Sequence, residues 1–510
     1  MPVGKNNHSV KNYRLVGQGW LREHFDLDVP PPQHQSFILQ KGAKRTDNQG
    51  EQISDFYPPS FDFEDNVINH LRFSLKNEIL DVRILALCMA AIDPAPIESW
   101  CLREPTSAYA RRAWFFYEWF TGRRLNLEDV SAGNYRPALD PKRYFVAGRV
   151  NSPRHRIIDN MLGTPALCVI VRRTDTLTQW LARDLNAETR KMIATSDPAI
   201  LSRAISYLYT RETRSSFAIE GERPSAQKEE RFMEALRGVS DFEPTKENLV
   251  ALQNEILDSR YVPTDWRDFQ NFIGQTGYAD EQVHFICPKP EDVASLMEGW
   301  FALYNRLNDG TGEVHPVIMA AILAFCFVFI HPFEDGNGRT HRYLIHAILA
   351  RLGFGPQNFI FPISSSIVRD RRGYEERLES FSQPIMHYID REWGKKQTIS
   401  VKNDTKPLYQ YFDATVFAEY LFSKMEDTIK TDLHNEINFL VTFEKAIRAI
   451  GEIVDMPDKR AALLAKCLLG NEGVLSKRKR EEHFSELTDG EIAAIEKRFQ
   501  SALLPDTDRT

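Results

Sequence analysis

A short segment, His331 to Arg342, combines the residue types that phosphate chemistry requires. It reads HPFEDGNGRTHR and directly follows an apolar run, IMAAILAFCFVFI, that ends at Ile330. His331 is suited to general-base work, because the ordinary pKa of an imidazole lies near neutrality. Asp335 supplies a carboxylate, the kind of ligand that holds Mg²⁺ against phosphate oxygens.

The middle of this segment predicts an anion-binding turn at the start of a helix. Gly336, Asn337 and Gly338 form a tight polar turn, and the two glycines let the backbone close on a ligand. A helix N-terminus attracts phosphate through its unpaired amides and its dipole. Arg339 and Arg342 are three residues apart and share one helix face, where two guanidiniums can clamp a polyphosphate. The helix itself is predicted by the apolar spacing of Leu344, Ile345, Ile348, Leu349 and Leu352.

The segment resembles the signature of the Fic family, HPFx(D/E)GNGRxxR, at all nine fixed positions without a gap. The resemblance implies a protein adenylyltransferase, which moves AMP from ATP onto a hydroxyl side chain and releases pyrophosphate. It also implies that His331 deprotonates that hydroxyl and that Asp335 binds Mg²⁺. Relatives that resemble the Doc toxin carry Lys at the position of Gly338 and transfer the γ-phosphate, so Gly338 favours nucleotidyl transfer.

The same resemblance assigns the phosphate groups. Asn337 and the backbone of Gly336 and Gly338 would hold the α- and β-phosphates. Arg339 would contact the β-phosphate and Arg342 the γ-phosphate. A purely structural turn is the alternative, but such a turn would need neither the acidic residue nor both arginines.

A second motif lies about 110 residues earlier, where Ser216-Phe217-Ala218-Ile219-Glu220-Gly221 is similar to the Fic inhibitory motif (S/T)xxxE(G/N). On a helix, Ser216 and Glu220 lie one turn apart, and Gly221 is a suitable C-terminal cap. The resemblance is to relatives with an N-terminal inhibitory helix, the class II type. It implies that Glu220 pairs with Arg342 and blocks the site of the γ-phosphate. A surface glutamate at a helix end is the alternative.

Two weaker patterns flank the main motif. GYADEQVHFICPKP, residues 277–290, resembles the family's flap, a hairpin that pairs with the backbone of the target; Phe285 and Ile286 are candidates to hold the modified side chain. An ordinary hairpin is the alternative. SSSIVRDRRGYEERL resembles the segment that lines the adenine pocket, and we expect Tyr374 to stack on the base or to pack in the helical core.

These motifs require a helical frame, and helical periodicity dominates from about Ala187 onward. We predict a mainly α protein: a Fic-type orthogonal helical bundle with a small β-hairpin flap, a mixed α/β N-terminal region and a helical C-terminal region. The predicted divisions are an extended, loop-rich segment at 1–60, a mostly helical accessory domain at 61–190, a catalytic core at 191–395 and a helical region at 396–510. A polar linker is expected between Lys395 and Lys406.

Composition limits the function classes. The 510 residues carry a net charge of −7 and are 42% hydrophobic, which fits a globular protein and argues against general nucleic-acid binding. The apolar run of 13 residues is short for a membrane span, and the N-terminus lacks the apolar stretch of a secretory signal. The six scattered cysteines predict free thiols in a reducing cytoplasm.

Three classes of function therefore compete. The first is an adenylyltransferase that uses Mg²⁺ and ATP, acts on a Ser, Thr or Tyr hydroxyl of a target protein, the chain itself included, and is held inactive by Glu220. The second uses the same site for AMP removal or for another nucleotide. The third is a regulator that binds a partner or DNA, although no helix-turn-helix or zinc pattern supports DNA binding. A homo-oligomer is left open.

Overall fold

A computed structural model describes residues 13–50, 52–258, 260–275, 282–309, 312, 314–357, 359–394 and 398–503. Helices predominate in these residues, and the strands form several small sheets. The predicted mainly α class, with a small hairpin and a mixed N-terminal region, is confirmed.

The first region is a small sheet with one helix. Its elements are β1 (Tyr13–Val16), α1 (Gly17–His24), β2 (His34–Leu39), β3 (Arg45–Gln49) and β4 (Gln52–Tyr57). The strand order is β1-β2-β4-β3, with β2 and β4 parallel and the other pairs antiparallel. The segment predicted to be extended and loop-rich therefore folds into a paired sheet, and its proline run, residues 30–32, lies between α1 and β2.

A helical layer and a second group of short strands follow. A 3₁₀ turn at Pro59–Phe61 precedes α2 (Val67–Asn77), α3 (Val82–Ala91), α4 (Pro94–Arg103), α5 (Ala108–Thr121), β5 (Arg136–Pro137), β6 (Val150–Ser152), β7 (Ile157–Asp159), β8 (Cys168–Ile170), α6 (Asp175–Leu181) and α7 (Leu185–Ala194). Four aromatic residues of α5, Trp114, Phe115, Phe116 and Tyr117, are buried in the core of this region, and the other aromatic residues of the helix pack against it partly buried.

The elements that carry both motifs come next. They are α8 (Pro198–Ile219), α9 (Ala226–Arg237), a 3₁₀ turn at Val239–Asp241, α10 (Lys246–Ile256), β9 (Phe272–Gln275), β10 (Gln282–Ile286), α11 (Pro290–Leu307), α12 (Pro316–Ile330), α13 (Asn337–Arg351), α14 (Ile363–Arg369) and α15 (Arg371–Met386). Strands β9 and β10 form an antiparallel hairpin with an irregularity between Val283 and Phe285. Residues 277–281 of the predicted flap lie outside the described residues.

The C-terminal elements are β11 (Arg391–Trp393), β12 (Ile399–Val401), α16 (Lys406–Gln410), β13 (Tyr411–Asp413), α17 (Thr415–Asp427), a π-helical segment (Thr428–Leu433), α18 (His434–Gly451), α19 (Asp458–Leu469), α20 (Lys477–His483) and α21 (Asp489–Leu503). The predicted polar linker instead contains β12, which pairs with β11. Strand β13 pairs in parallel with β8, and this pairing joins the C-terminal part to the N-terminal part.

The largest core cluster surrounds α12, which is buried along its length after the first residue. The cluster includes Leu185, Phe285 and Phe412, so it draws on residues from both sides of the predicted boundaries at 190 and 395. Those boundaries stay predictions. In the described part of the chain no single helix has the length and apolar character to cross a bilayer, although the bent pair α3 and α4 passes on length and composition alone.

Candidate active site

The junction between α12 and α13 positions His331. This residue ends α12 in the left-handed conformation, with φ 52° and ψ 57°. Its Nδ1 lies 3.1 Å from the Val328 carbonyl, so Nδ1 carries the hydrogen and Nε2 is left as the proton acceptor. The side chain is 9% exposed, and burial lowers the pKa of His331 to about 4. The sequence suggested an ordinary pKa near neutrality; the buried imidazole is instead neutral far below pH 7.

Arg267 holds this junction in place, and sequence reasoning did not identify it. Its Nε donates to the His331 carbonyl at 2.8 Å, and its Nη2 donates to the Pro288 carbonyl at 2.6 Å. Its backbone amide also donates to the Pro332 carbonyl at 2.9 Å. The buried guanidinium therefore joins the end of α12 to the chain that leaves the hairpin.

The turn before α13 is held by the side chain of Asn337. Its Nδ2 donates to the Phe333 carbonyl at 2.8 Å, and its Oδ1 accepts from the Phe333 amide at 3.0 Å. One Nδ2 hydrogen and the Oδ1 atom are therefore bonded to the turn itself, and the phosphate contact expected of Asn337 stays a prediction. The backbone remains available: the amides of Asn337, Gly338 and Arg339 form no hydrogen bond with another described residue.

Gly336 allows the turn to form. It has φ +79°, and a Cβ at this position would lie 2.5 Å from Gln253 Oε1. Its amide donates to Asp335 Oδ1 at 2.6 Å, which leaves the remainder of the Asp335 side chain, 64% exposed, at the mouth of the site. The turn thus presents free amides and one accessible carboxylate side by side.

Arg339 and Arg342 point to the same side of α13, and each is almost fully buried. Arg342 donates from Nε to Ser216 Oγ at 3.0 Å and from Nη2 to the Ser216 carbonyl at 2.8 Å. Arg339 lies 3.2 Å from both carboxylate oxygens of Asp335. It also donates from Nη1 to Glu222 Oε2 at 2.7 Å, a contact that sequence reasoning missed.

The Glu220 carboxylate lies at the first turn of α13, beside these two arginines. Its Oε1 accepts from Arg342 Nη2 at 2.8 Å. Burial raises the pKa of Glu220, but the Arg342 guanidinium outweighs that effect and holds the pKa below its usual value, so the carboxylate is ionised. A Cβ at Gly338 would lie 2.2 Å from Glu220 Oε1, which shows how closely the carboxylate approaches the first turn of α13.

The end of α8 places this carboxylate through its backbone. The Gly221 amide donates to the Ala218 carbonyl at 3.0 Å and the Glu222 amide donates to the Phe217 carbonyl at 3.0 Å. This is the Schellman pattern, and it requires a left-handed residue, which Gly221 supplies with φ +75°. Glu220 is therefore fixed at the helix C-cap, directed at α13.

A cavity of about 540 Å³ opens beside Glu220. It is lined by the hairpin, the end of α12 and one face of α15, and its volume lies within the usual range of small-molecule sites. Phe285 forms part of its wall, but Ile286 is fully buried and its carbonyl accepts from the Tyr409 hydroxyl at 2.6 Å. In this conformation Ile286 cannot hold a target side chain, because it belongs to the core.

Tyr374 also lies in the core rather than on the cavity wall. It is 5% exposed and its ring centroid is 6.2 Å from that of Tyr420. Burial raises the pKa of its hydroxyl, which the nearby Arg342 guanidinium opposes. Of the two expectations for Tyr374, the structure therefore fits packing in the helical core, since the ring offers no open face to a base.

Comparison with known proteins relates the segment that contains the anion-binding turn to a protein family. A sequence model of the Fic/DOC family matches residues 243–349. These residues are a Fic/DOC family domain. No curated protein is similar enough to this chain to count as a match.

Solved structures of Fic proteins are also similar to this chain, at low identity. A Fic family protein from Desulfovibrio desulfuricans is 20% identical, with 61% of this chain and 87% of that chain covered and a TM-score of 0.36. A Fic domain-containing signalling protein from Bacteroides thetaiotaomicron is 19% identical, with 52% and 97% covered and a TM-score of 0.36. A Fic-1 fragment from C. elegans is 15% identical, with 69% and 93% covered and a TM-score of 0.28.

The Fic/DOC domain contains His331, Asp335 and both arginines, whereas α8 with Ser216 and Glu220 lies before the matched span. The structure brings these two parts of the chain into direct contact. Glu222 and Arg267 join the site without belonging to either motif. A second carboxylate two residues after Glu220 was the only sequence signal for Glu222, and Arg267 had none.

Proposed function

We propose that this protein is an adenylyltransferase that transfers AMP from ATP to a Ser, Thr or Tyr hydroxyl of a protein target and is held inactive by Glu220. One observation carries the proposal: the chain's own carboxylate lies where free amides and Arg342 would bind an anion. An anion site that is filled by an ionised side chain is a site that a phosphate can occupy only by displacing it.

In the proposed reaction, some residues of the chain bind the nucleotide and another accepts the proton. The first-turn amides of α13, Arg339 and Arg342 bind and orient the triphosphate. His331 accepts the proton of the target hydroxyl at Nε2, while the Nδ1 bond to Val328 fixes the ring. The hydroxyl oxygen forms a bond to the α-phosphorus, the bond to the β-phosphate oxygen breaks, and pyrophosphate leaves.

Asp335 is the residue that would hold Mg²⁺. Its carboxylate is accessible and adjoins the phosphate-binding turn, which suits a cation that keeps several waters and binds through substrate phosphates. No group of three or more metal-ligating side chains occurs among the residues that the structure describes. When bound, the ion neutralises phosphate charge.

The test compares the full chain with Glu220→Gly, His331→Ala and the double variant. Each is incubated with Mg²⁺ and a nucleoside triphosphate labelled at the α-phosphate, alone and in a lysate. We expect labelled protein with Glu220→Gly, much less with the parent chain, and none when His331 is also replaced.

The same assay separates the rival reactions of this site. ATP is compared with CTP, GTP and UTP, and intact-mass analysis identifies the group added or removed. Absence of labelling by Glu220→Gly with every nucleotide would overturn the transferase proposal. Labelling that persists in the double variant would overturn the role of His331.

A further inference from the structure

Glu222 makes a second contact of the same kind as Glu220. Its Oε2 accepts from Arg339 Nη1 at 2.7 Å, and the Arg339 side chain is only 2% exposed. An exposed pair of this kind would contribute little, but here the guanidinium is buried and its bond is charge-assisted. An anion that binds Arg339 through Nη1 must therefore displace Glu222.

We propose that Glu222 is a second inhibitory carboxylate, which occupies the β-phosphate position on Arg339 while Glu220 occupies the γ-phosphate position on Arg342. This inference rests on the proposed function, since that proposal assigns the phosphates to the two arginines. Glu222 acts only through its contact with Arg339 and takes no part in the transfer reaction itself. The nucleotide then has two carboxylates to displace.

One backbone unit carries both carboxylates. Glu220 and Glu222 flank Gly221, and the Schellman turn fixes the two residues through the Gly221 and Glu222 amides. When this turn opens, both side chains lose their anchor together. The two contacts are therefore parts of one inhibitory unit at the end of α8, with one glycine between them.

Lys228 gives Glu222 an alternative partner. Its Nζ lies 3.2 Å from Glu222 Oε2, the same oxygen that binds Arg339. The Lys228 ammonium and the Arg339 guanidinium also lie over the Phe217 ring, each 5.2 Å from its centroid. Displacement by a phosphate thus leaves Glu222 paired with Lys228, which lowers the cost of its release.

Asp335 is the other carboxylate on Arg339, with both oxygens at 3.2 Å. These longer contacts come from Asp335, and the use of its carboxylate changes when the nucleotide binds, because it would then hold Mg²⁺. Glu222 has no such use at the site. Its contact with Arg339 is therefore the one that opposes nucleotide binding.

The number of phosphates distinguishes the two carboxylates. We would titrate the full chain, with His331→Ala to prevent turnover, with AMP, ADP and ATP by calorimetry. Glu222→Gln should lower the Kd of ADP and ATP about tenfold, about 1.4 kcal/mol, and leave AMP unchanged. Glu220→Gln should lower the Kd of ATP alone. Lys228→Met should raise the Kd of ADP, because the displaced Glu222 loses its alternative partner.

The matched control is Glu229→Gln, which removes one negative charge from a nearby ion pair with Arg214. It should change no Kd, and thermal melts should show all variants folded. Equal changes for AMP, ADP and ATP with Glu222→Gln, or no change at all, would overturn the proposal for Glu222. If Glu222→Gln tightens ADP binding but no variant transfers AMP, the second carboxylate stands and the transferase proposal fails.

Discussion

Gly221→Ala tests whether the backbone turn at the end of α8 controls the inhibitory contact. Gly221 has φ +75°, and a Cβ added there would meet no other atom within 4 Å. The substitution therefore introduces no clash and leaves Glu220 and Arg342 intact. Its only direct effect is the backbone cost of placing an L-residue in the left-handed region.

That cost sets the expected size of the effect. A non-glycine residue in the left-handed conformation costs about 1–2 kcal/mol. The closed arrangement, in which Glu220 caps the helix and contacts Arg342, requires this conformation, whereas an opened turn does not. The open population should thus rise about 5- to 30-fold. Gly221→Asn should give a smaller rise, because Asn tolerates this conformation better than Ala.

The assay is the initial rate of AMP incorporation from ATP labelled at the α-phosphate, with Glu220→Gly as the upper limit. Gly221→Ala should raise the rate about 5- to 30-fold over the parent chain, provided that the parent is mostly closed. Urea denaturation should show a free energy of unfolding lowered by about 1–2 kcal/mol at most. A lowered free energy of unfolding with an unchanged rate of AMP incorporation would refute the coupling between this turn and the inhibitory contact of Glu220 with Arg342.

Two further predictions concern Gly338 and His331. Gly338→Ala would place a methyl group 2.2 Å from Glu220 Oε1 and 3.2 Å from Arg342 Nη1, so both the carboxylate and a phosphate should be excluded. Calorimetry should show ATP affinity reduced by about tenfold or more, and unchanged affinity would contradict the assigned phosphate position. In the Glu220→Gly variant, transfer should stay constant from pH 8 to about 5 and fall only as the pH drops through about 4, since burial lowers the pKa of His331 and the lost glutamate had raised it. A loss of rate centred near pH 6.5 would show a solvated imidazole instead.

The helical class and the position of the anion-binding turn could be predicted from sequence, because both depend on local patterns. The apolar run of α12 and the spacing in α13 indicate buried helices whatever surrounds them, and Gly336 indicates a turn. The N-terminal sheet was harder to predict. Strand β2 pairs directly with β4, although β3 lies between them in the sequence. Pairing of this kind leaves no signal in a local window of sequence.

Side-chain direction was the part that sequence could not supply. Ile286 belongs to the predicted flap, but strand alternation alone did not say which of Phe285 and Ile286 faces the cavity. Tyr374 lies on α15, and its direction depends on where α17 packs, since Tyr420 of that helix packs against its ring. Asn337 matches its motif position, yet its side chain bonds to Phe333 in the same turn.

The middle of α8 limits how the inhibitory contact between Glu220 and Arg342 can be broken. Glu212, 1% exposed, bonds to His346 Nε2 at 2.8 Å and to the Ser364 amide at 2.8 Å, so α8 is joined to α13 and α14 by a buried polar network. Withdrawal of the whole helix would break these bonds and leave the buried His346 ring and the buried Ser364 amide without their partner, at a cost of several kcal/mol. Opening of the last turn breaks none of these bonds. Because space around Gly221 is open, the physically accessible route to the active state is a local unwinding that moves Glu220 away from Arg342 and leaves α8 in place.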